Sequence, residues 1–126
     1  MDKSIKWVQC NISLSYELGN SFELYSETMK KFPDLRLWVF SGIDDGVVST
    51  LRTMRWINKL NLTVEKKWKQ YYDDNNQVCG YAQKYKEGLV IVTVKGAGHM
   101  VPQDKRAAAY KMFSSFIKAI LPFEEE

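Results

Sequence analysis

The stretch VKGAGHMVPQD, residues 94–104, holds His99, the only histidine of the chain. Imidazole is the side chain whose ordinary pKa lets it take and give a proton near neutral pH. His99 stands in a glycine-rich turn, directly after the β-branched run LVIVTV and before a proline. A second turn, SGIDDG, follows the apolar run LRLWVF and carries Asp44 and Asp45. In open α/β sheets, reactive groups collect outside the carboxyl ends of the strands. If the two runs are parallel strands, both turns open on one edge and a carboxylate faces an imidazole. A buried carboxylate bonded to an imidazole N–H fixes the ring's tautomer and stabilises its charged form during proton transfer. Gly96 and Gly98 would let the backbone bend sharply and aim the ring outward.

Blander readings stand beside this one. An Asp-Asp-Gly turn is common punctuation, and a lone histidine in a loop is usually a surface residue. No GxSxG elbow is present to expose a nucleophilic serine, and no other serine sits on a strand-to-helix turn between glycines. These residues therefore hold at most two members of a Ser-Asp-His triad. Cys10 and Cys79 allow one internal pairing and match no metal motif. With one histidine, a zinc site would need several carboxylates. No metal and no cofactor is expected. The sequons NIS at Asn11 and NLT at Asn61 are glycan acceptors only if the protein enters the secretory pathway.

The elements that must position these turns are legible as periodicities. NSFELYSETMKKFPD puts Phe22, Tyr25, Met29 and Phe32 on one helical face, with Asn20 or Ser21 as cap and Pro33 as stop. LRLWVFSG reads as a strand buried on both faces. STLRTMRWINKLN reads as a helix capped by Ser49 or Thr50, with Leu51, Met54, Ile57 (or Trp56) and Leu60 inward. In KWKQYYDDNNQVCGYAQKY, aromatic and β-branched residues flank the turn cluster DDNN, which predicts a hairpin. LVIVTV is a second fully apolar strand. DKRAAAYKMFSSFIKAIL is the last helix, with Ala108, Met112, Phe116 and Ile120 (or its neighbours) inward and Asp104 near its start, where negative charge suits the helix dipole.

The 126 residues, 45% hydrophobic and 26% charged, fit one soluble globular domain. No apolar run approaches the ~20 residues of a membrane span. Residues Met1–Cys10 carry no apolar signal-peptide core. The net charge of +3 is mild and evenly spread, so neither nucleic acid nor a membrane is an expected partner. Two apolar strands separated by a helical crossover predict an α/β protein with a short parallel sheet, flanking helices and a β-hairpin insertion. So small a sheet leaves a flank uncovered, which suggests part of something larger. An exposed apolar edge also predicts self-association, so a homodimer is an expected partner.

The stretch LRLWVFSGIDDGVVSTLRTMRWINKLNL, followed by WKQYYDDNNQVCGYAQKYKEGLVIVTVKGAGHMVPQDKRAAAYKMFSSFI, resembles the C-terminal part of the serine carboxypeptidases. IKWVQCN near the start resembles the segment preceding it. The likeness runs from about Ser4 to about Leu121, and SGxxDGVV with GAGHMVP, 54 positions from Asp45 to His99, is specific. The resemblance implies that residues 1–126 are a single partial domain, the C-terminal portion of an α/β-hydrolase fold with a Ser-Asp-His triad. Asp45 matches the family's catalytic aspartate and His99 its general base. Asp44 is not expected to orient the histidine. Met100 matches a methionine that flanks the substrate's C-terminal residue, although packing of the turn would also account for it. Two positions depart from the pattern: Ile43 stands where the family often has aspartate, and Ser49 where it often has proline.

The family's nucleophilic serine, oxyanion-hole glycines and carboxylate-recognising groups lie upstream of the matched region. The chain is then the C-terminal piece of a full enzyme, the smaller chain of a processed two-chain enzyme, or a short paralogue without hydrolytic activity. The expected partners are a peptide substrate and the N-terminal part of the same enzyme. The implied activity is release of C-terminal amino acids by acyl transfer to water. Serine carboxypeptidase-like acyltransferases and a non-catalytic interaction module are the alternatives. Cys10 matches a cysteine that usually pairs upstream, which would leave Cys79 as a buried thiol; pairing of the two is the alternative. The family acts in lysosomes or vacuoles or outside the cell, in agreement with the sequons.

Overall fold

The computed structural model describes residues 21–124. Its elements, in chain order, are α1 (Ser21–Lys31), β1 (Leu37–Gly42), α2 (Thr50–Lys59), β2 (Val64–Tyr72), β3 (Val78–Tyr85), β4 (Leu89–Val94), α3 (Val101–Asp104) and α4 (Arg106–Lys118). The four strands form one sheet in the order β1-β4-β3-β2. β1 and β4 are parallel, in unbroken register from Leu37 opposite Leu89 to Gly42 opposite Val94. β4 and β3 are antiparallel, as are β3 and β2.

The expected parallel sheet with a hairpin insertion is therefore corrected to a mixed sheet. Between Tyr85 and Leu89 the chain turns through three residues, with Gly88 at φ 93. So short a link can join only antiparallel neighbours, because a parallel crossover needs a dozen residues or more. The hairpin thus supplies the outer strands of the same sheet. Its turn falls on DDNN as expected, where Asp73 Oδ1 accepts the N–H groups of Asn75 and Gln77 at 2.9 Å each.

Every residue of β4 is buried, as befits a strand with neighbours on both sides and helices over both faces. Val90, Val92 and Val94 join Ala108, Ala109 and Met112 of α4 in one core. Leu89 and Ile91 join Ile57 of α2 in the other, with Met29 of α1 and Trp56 against them. Tyr25 stacks on Trp56 with ring centroids 4.6 Å apart, tying α1 to α2.

Several expected inward residues lie elsewhere. Phe32 and Leu51 are exposed, and Thr53 takes the buried place expected of Leu51. β1 is not buried on both faces: Leu37 to Val39 are half-buried and Phe40 is exposed. The reason is that β1 is an edge strand. The last helix is broken at Lys105 (φ −136), so Asp104 ends the short α3 instead of opening α4. Ser115, not Phe116, is the buried neighbour of Met112, and Phe116 sets its ring edge-on to Trp38 at 5.6 Å. Arg36 donates from Nη1 to the Phe116 carbonyl at 2.6 Å, placing a cation at the carboxyl end of α4.

Cys79 is a buried free thiol, its pKa pushed up by desolvation and by the nearby Asp73 carboxylate. Asn61 is exposed in the turn after α2, at φ 51. The sequon at Asn11, Cys10 and the cap expected at Asn20 lie outside the described residues, as does the side chain of Phe22.

Candidate active site

The parallel pairing of β1 with β4 sends both turns off the same edge of the sheet. Backbone hydrogen bonds then staple them. The Ile43 N–H donates to the Val94 carbonyl at 2.9 Å, and the Asp44 N–H to the Ala97 carbonyl at 3.0 Å. Ile43 is held in the turn through its backbone. Ser49, the other departure from the family pattern, is the N-cap of α2 and accepts the Arg52 N–H. Gly42 sits where the two turns touch: a Cβ there would overlap the carbonyl oxygens of Ala97 and Gly98. Gly42→Ala is expected to push the turns apart at a cost of roughly 1–3 kcal/mol. Urea unfolding of the two proteins would measure the loss.

Asp45 and His99 meet across this junction. His99 Nδ1 lies 3.0 Å from Asp45 Oδ2. The carboxylate is 7% exposed, whereas the imidazole side chain is 55% exposed. The other carboxylate oxygen, Oδ1, accepts the N–H groups of Val47 at 2.8 Å and Val48 at 2.9 Å. These bonds come from Asp45 being followed by a tight Gly-Val-Val turn whose amides fold back on it. The hydrogen bond with His99 and the Val48 amide hold the Asp45 carboxyl below its ordinary value, against an opposing contribution from desolvation. Asp45 is therefore ionised at neutral pH and can only accept. Nδ1 of His99 must then carry the proton in the shared bond, and in the neutral ring Nε2 is left as a base with its lone pair free.

Asp44 is exposed and joins the site through its backbone alone. Gly96, at φ 70, makes the turn a bulkier residue would strain. Gly98 is not among the positive-φ glycines; its N–H donates to Asp104 Oδ2 at 2.8 Å. Asp104 thus anchors the residue next to His99. Asp104→Ala is expected to cost about 0.5–1.5 kcal/mol and to speed exchange of the Gly98 amide, read by hydrogen–deuterium exchange. Met100 follows His99 and is exposed.

Sequence reasoning missed the Val47 and Val48 amides, Gly42 and Asp104. The Asp-Gly-Val-Val order signals the first of these, since an aspartate commonly accepts amides two and three residues on. Nothing local signals Gly42, whose requirement comes from a loop over fifty residues away.

Beside His99 lies a shallow recess of about 240 Å³, bordered by Phe40, Val48, Thr53 and Val101. This is below the roughly 300–1,000 Å³ of a typical ligand pocket, so these walls alone do not enclose a substrate.

The family model for serine carboxypeptidases matches residues 1–119. The chain belongs to the serine carboxypeptidase family. Among the relatives of this serine carboxypeptidase-family chain is Serine carboxypeptidase-like 33 of Arabidopsis thaliana. It is 34% identical over 116 residues, which are 89% of this chain and 24% of the relative. Serine carboxypeptidase 24 of the same plant is 38% identical over 114 residues, again 89% of this chain and 24% of the relative. Serine carboxypeptidase-like 32 is 42% identical over 87 residues, 69% of this chain and 18% of the relative. The chain spans about a quarter of the length of the first two relatives.

Proposed function

We propose that this chain is the C-terminal part of an α/β-hydrolase and carries the aspartate and histidine of a serine carboxypeptidase triad, whose nucleophilic serine comes from residues beyond the 126. The observation that carries the reading is the Asp45–His99 bond at 3.0 Å, with Asp45 clamped by two amides and Nε2 turned free. The serine hydroxyl attacks the carbonyl carbon of the last peptide bond, and its proton passes to His99 Nε2. Collapse of the tetrahedral intermediate breaks the C–N bond, and His99 returns the proton to the leaving amino acid. Water then attacks the acyl-enzyme, with His99 again as base, and frees the carboxylic acid. Asp45 stabilises the imidazolium at each transfer without itself taking the proton.

The exposed thioether of Met100 flanks the substrate's C-terminal residue in this reading. Transfer of the acyl group to a hydroxyl other than water uses the same two residues, so an acyltransferase is the neighbouring reading within the family. Asn61, exposed in its turn, is the glycan acceptor of a protein that passes through the secretory pathway.

The experiment compares turnover of a blocked dipeptide by the 126-residue chain alone and by the chain joined to the rest of a serine carboxypeptidase. No hydrolysis is expected from the chain alone, and hydrolysis with release of the terminal amino acid is expected from the joined protein. Turnover by the isolated chain would mean that a nucleophile within it had been overlooked. A joined protein that folds but neither hydrolyses nor transfers acyl groups would favour a non-catalytic module.

A further inference from the structure

The segment that carries the Asp45 carboxylate and its two amide partners, residues 45–48, has little packing of its own among the described residues. Val47 and Val48 are exposed, and a Cβ added at Gly46 would meet nothing within 4 Å. So lightly packed a loop keeps its place through the bonds at its ends. Both ends are fastened to one atom. The Asp45 N–H donates to the Gly42 carbonyl oxygen at 3.2 Å, the hydrogen bond of a β-turn. Thr50 Oγ1, at the first residue of α2, donates to the same oxygen, also at 3.2 Å. A carbonyl oxygen has two lone pairs, one for each donor. Behind Thr50 stands the buried Ser41, its Oγ 2.8 Å from Thr50 Oγ1. With the Thr50 proton committed to Gly42, Ser41 is the donor in that contact. A threonine that only capped α2 would accept an amide of the first turn. Ser49 does that, taking the Arg52 N–H, whereas the Thr50 hydroxyl bonds back to the end of β1.

We infer that Thr50 is a positioning residue for the Asp45–His99 pair: its hydroxyl, backed by that of Ser41, closes the 45–49 loop onto Gly42 and so holds the Asp45 carboxylate at bonding distance from His99 Nδ1. Gly42 suits this role because it leans on the opposite turn. The carbonyls of Ala97 and Gly98 crowd it so closely that it has no room for a Cβ. One carbonyl therefore ties the far end of the Asp45 loop to the residue against which the His99 turn rests. Without the Thr50 hydroxyl, the loop keeps only its Asp45 end. The Val47 and Val48 amides can then drift from β1 and carry Asp45 Oδ1 with them, because they are its partners. Oδ2 turns with the same carboxylate, and its 3.0 Å bond to His99 is lost for part of the time. A shift of an ångström or less in an orienting group is enough to slow a reaction that depends on it. The catalytic part of the inference rests on the reading that Asp45 and His99 act in acyl transfer.

The test compares Thr50→Val, which removes the hydroxyl and keeps the shape, with Thr50→Ser, which keeps the hydroxyl. Ser49→Ala is the control, since it weakens the start of α2 without touching Gly42. Imidazole ¹H–¹⁵N spectra of the labelled 126-residue chain give the first readout. The valine variant is expected to average between the two ring tautomers, while the serine variant and the control keep the ring protonated at Nδ1. Turnover of a blocked dipeptide by the chain joined to the rest of a serine carboxypeptidase gives the second. Thr50→Val is expected to lower kcat about tenfold with KM unchanged, and the other two to stay within about twofold of the parent. Circular dichroism checks that each variant folds. If Thr50→Val does not fold, Ser41→Ala takes its place with the same expected loosening of the ring, because it removes the hydroxyl behind Thr50. A ring still fixed at Nδ1 in the folded valine variant overturns the inference. So does failure of the serine variant to restore the parent's behaviour, or an equal effect from Ser49→Ala, which would reduce Thr50 to a helix residue. A ring loosened by Thr50→Val in the chain, with no acyl chemistry in the joined parent, would sink the catalytic reading and keep the positioning role. An active joined parent whose ring and kcat ignore Thr50→Val would do the reverse.

Discussion

Replacing His99 with alanine in the complete enzyme is expected to reduce turnover by about 10⁴- to 10⁶-fold while leaving the fold in place. The loss is large because, in the proposed mechanism, His99 Nε2 is the base that accepts the serine proton. The fold survives because the imidazole side chain is 55% exposed, so its removal opens no buried cavity. Asp45 keeps two of its hydrogen bonds, those from Val47 and Val48. Comparison of kcat for a blocked dipeptide, with thermal unfolding as the control, separates the two effects. A variant that trims terminal residues at the normal rate would remove His99 from the reaction.

Asp45→Asn is expected to cost about 10⁴ in turnover through a different cause. An asparagine offers one oxygen and one NH₂ group. The oxygen suits the Val47 and Val48 amides, which turns the NH₂ group toward His99 Nδ1. That nitrogen would then have to accept, the ring proton would move to Nε2, and the base would lose its free lone pair. The substitution also changes the dependence of stability on acid. The Asp45 carboxyl is held below its ordinary value of 3.8 in the folded protein. Its contribution to stability is thus present above that value and is lost as pH falls through the lower folded one. Acid unfolding of the asparagine variant, followed below about pH 4, should lack this component.

Much of this arrangement is written locally. The LVIVTV run, the DDNN turn and the two turns at strand ends follow from apolar contiguity, turn chemistry and the placement of glycine. The junction of Asp45 with His99 is legible because a parallel pair must open its two turns on the same edge. The direction of β3 is not legible in the apolar run itself, since a fully buried strand has the same composition beside a parallel or an antiparallel neighbour. The length of the 86–88 link, three residues, carries that information. Phe32, Phe40 and Leu51 mislead for another reason. Their types signal burial, yet all three are exposed here. Asp104 reads as a helix-dipole charge in the sequence, and only the break at Lys105 brings its carboxylate back to Gly98.

The central claim, that Asp45 fixes the proton of His99 on Nδ1 and leaves Nε2 as the base, is open to one direct measurement. His99 is the only histidine, so long-range ¹H–¹⁵N correlation spectra of the uniformly ¹⁵N-labelled chain contain a single imidazole. Spectra recorded well above pH 7, where an ordinary imidazole is neutral, should have the pattern of a ring protonated at Nδ1 and bare at Nε2. A ring protonated at Nε2, or one averaging freely between the two forms, would contradict it.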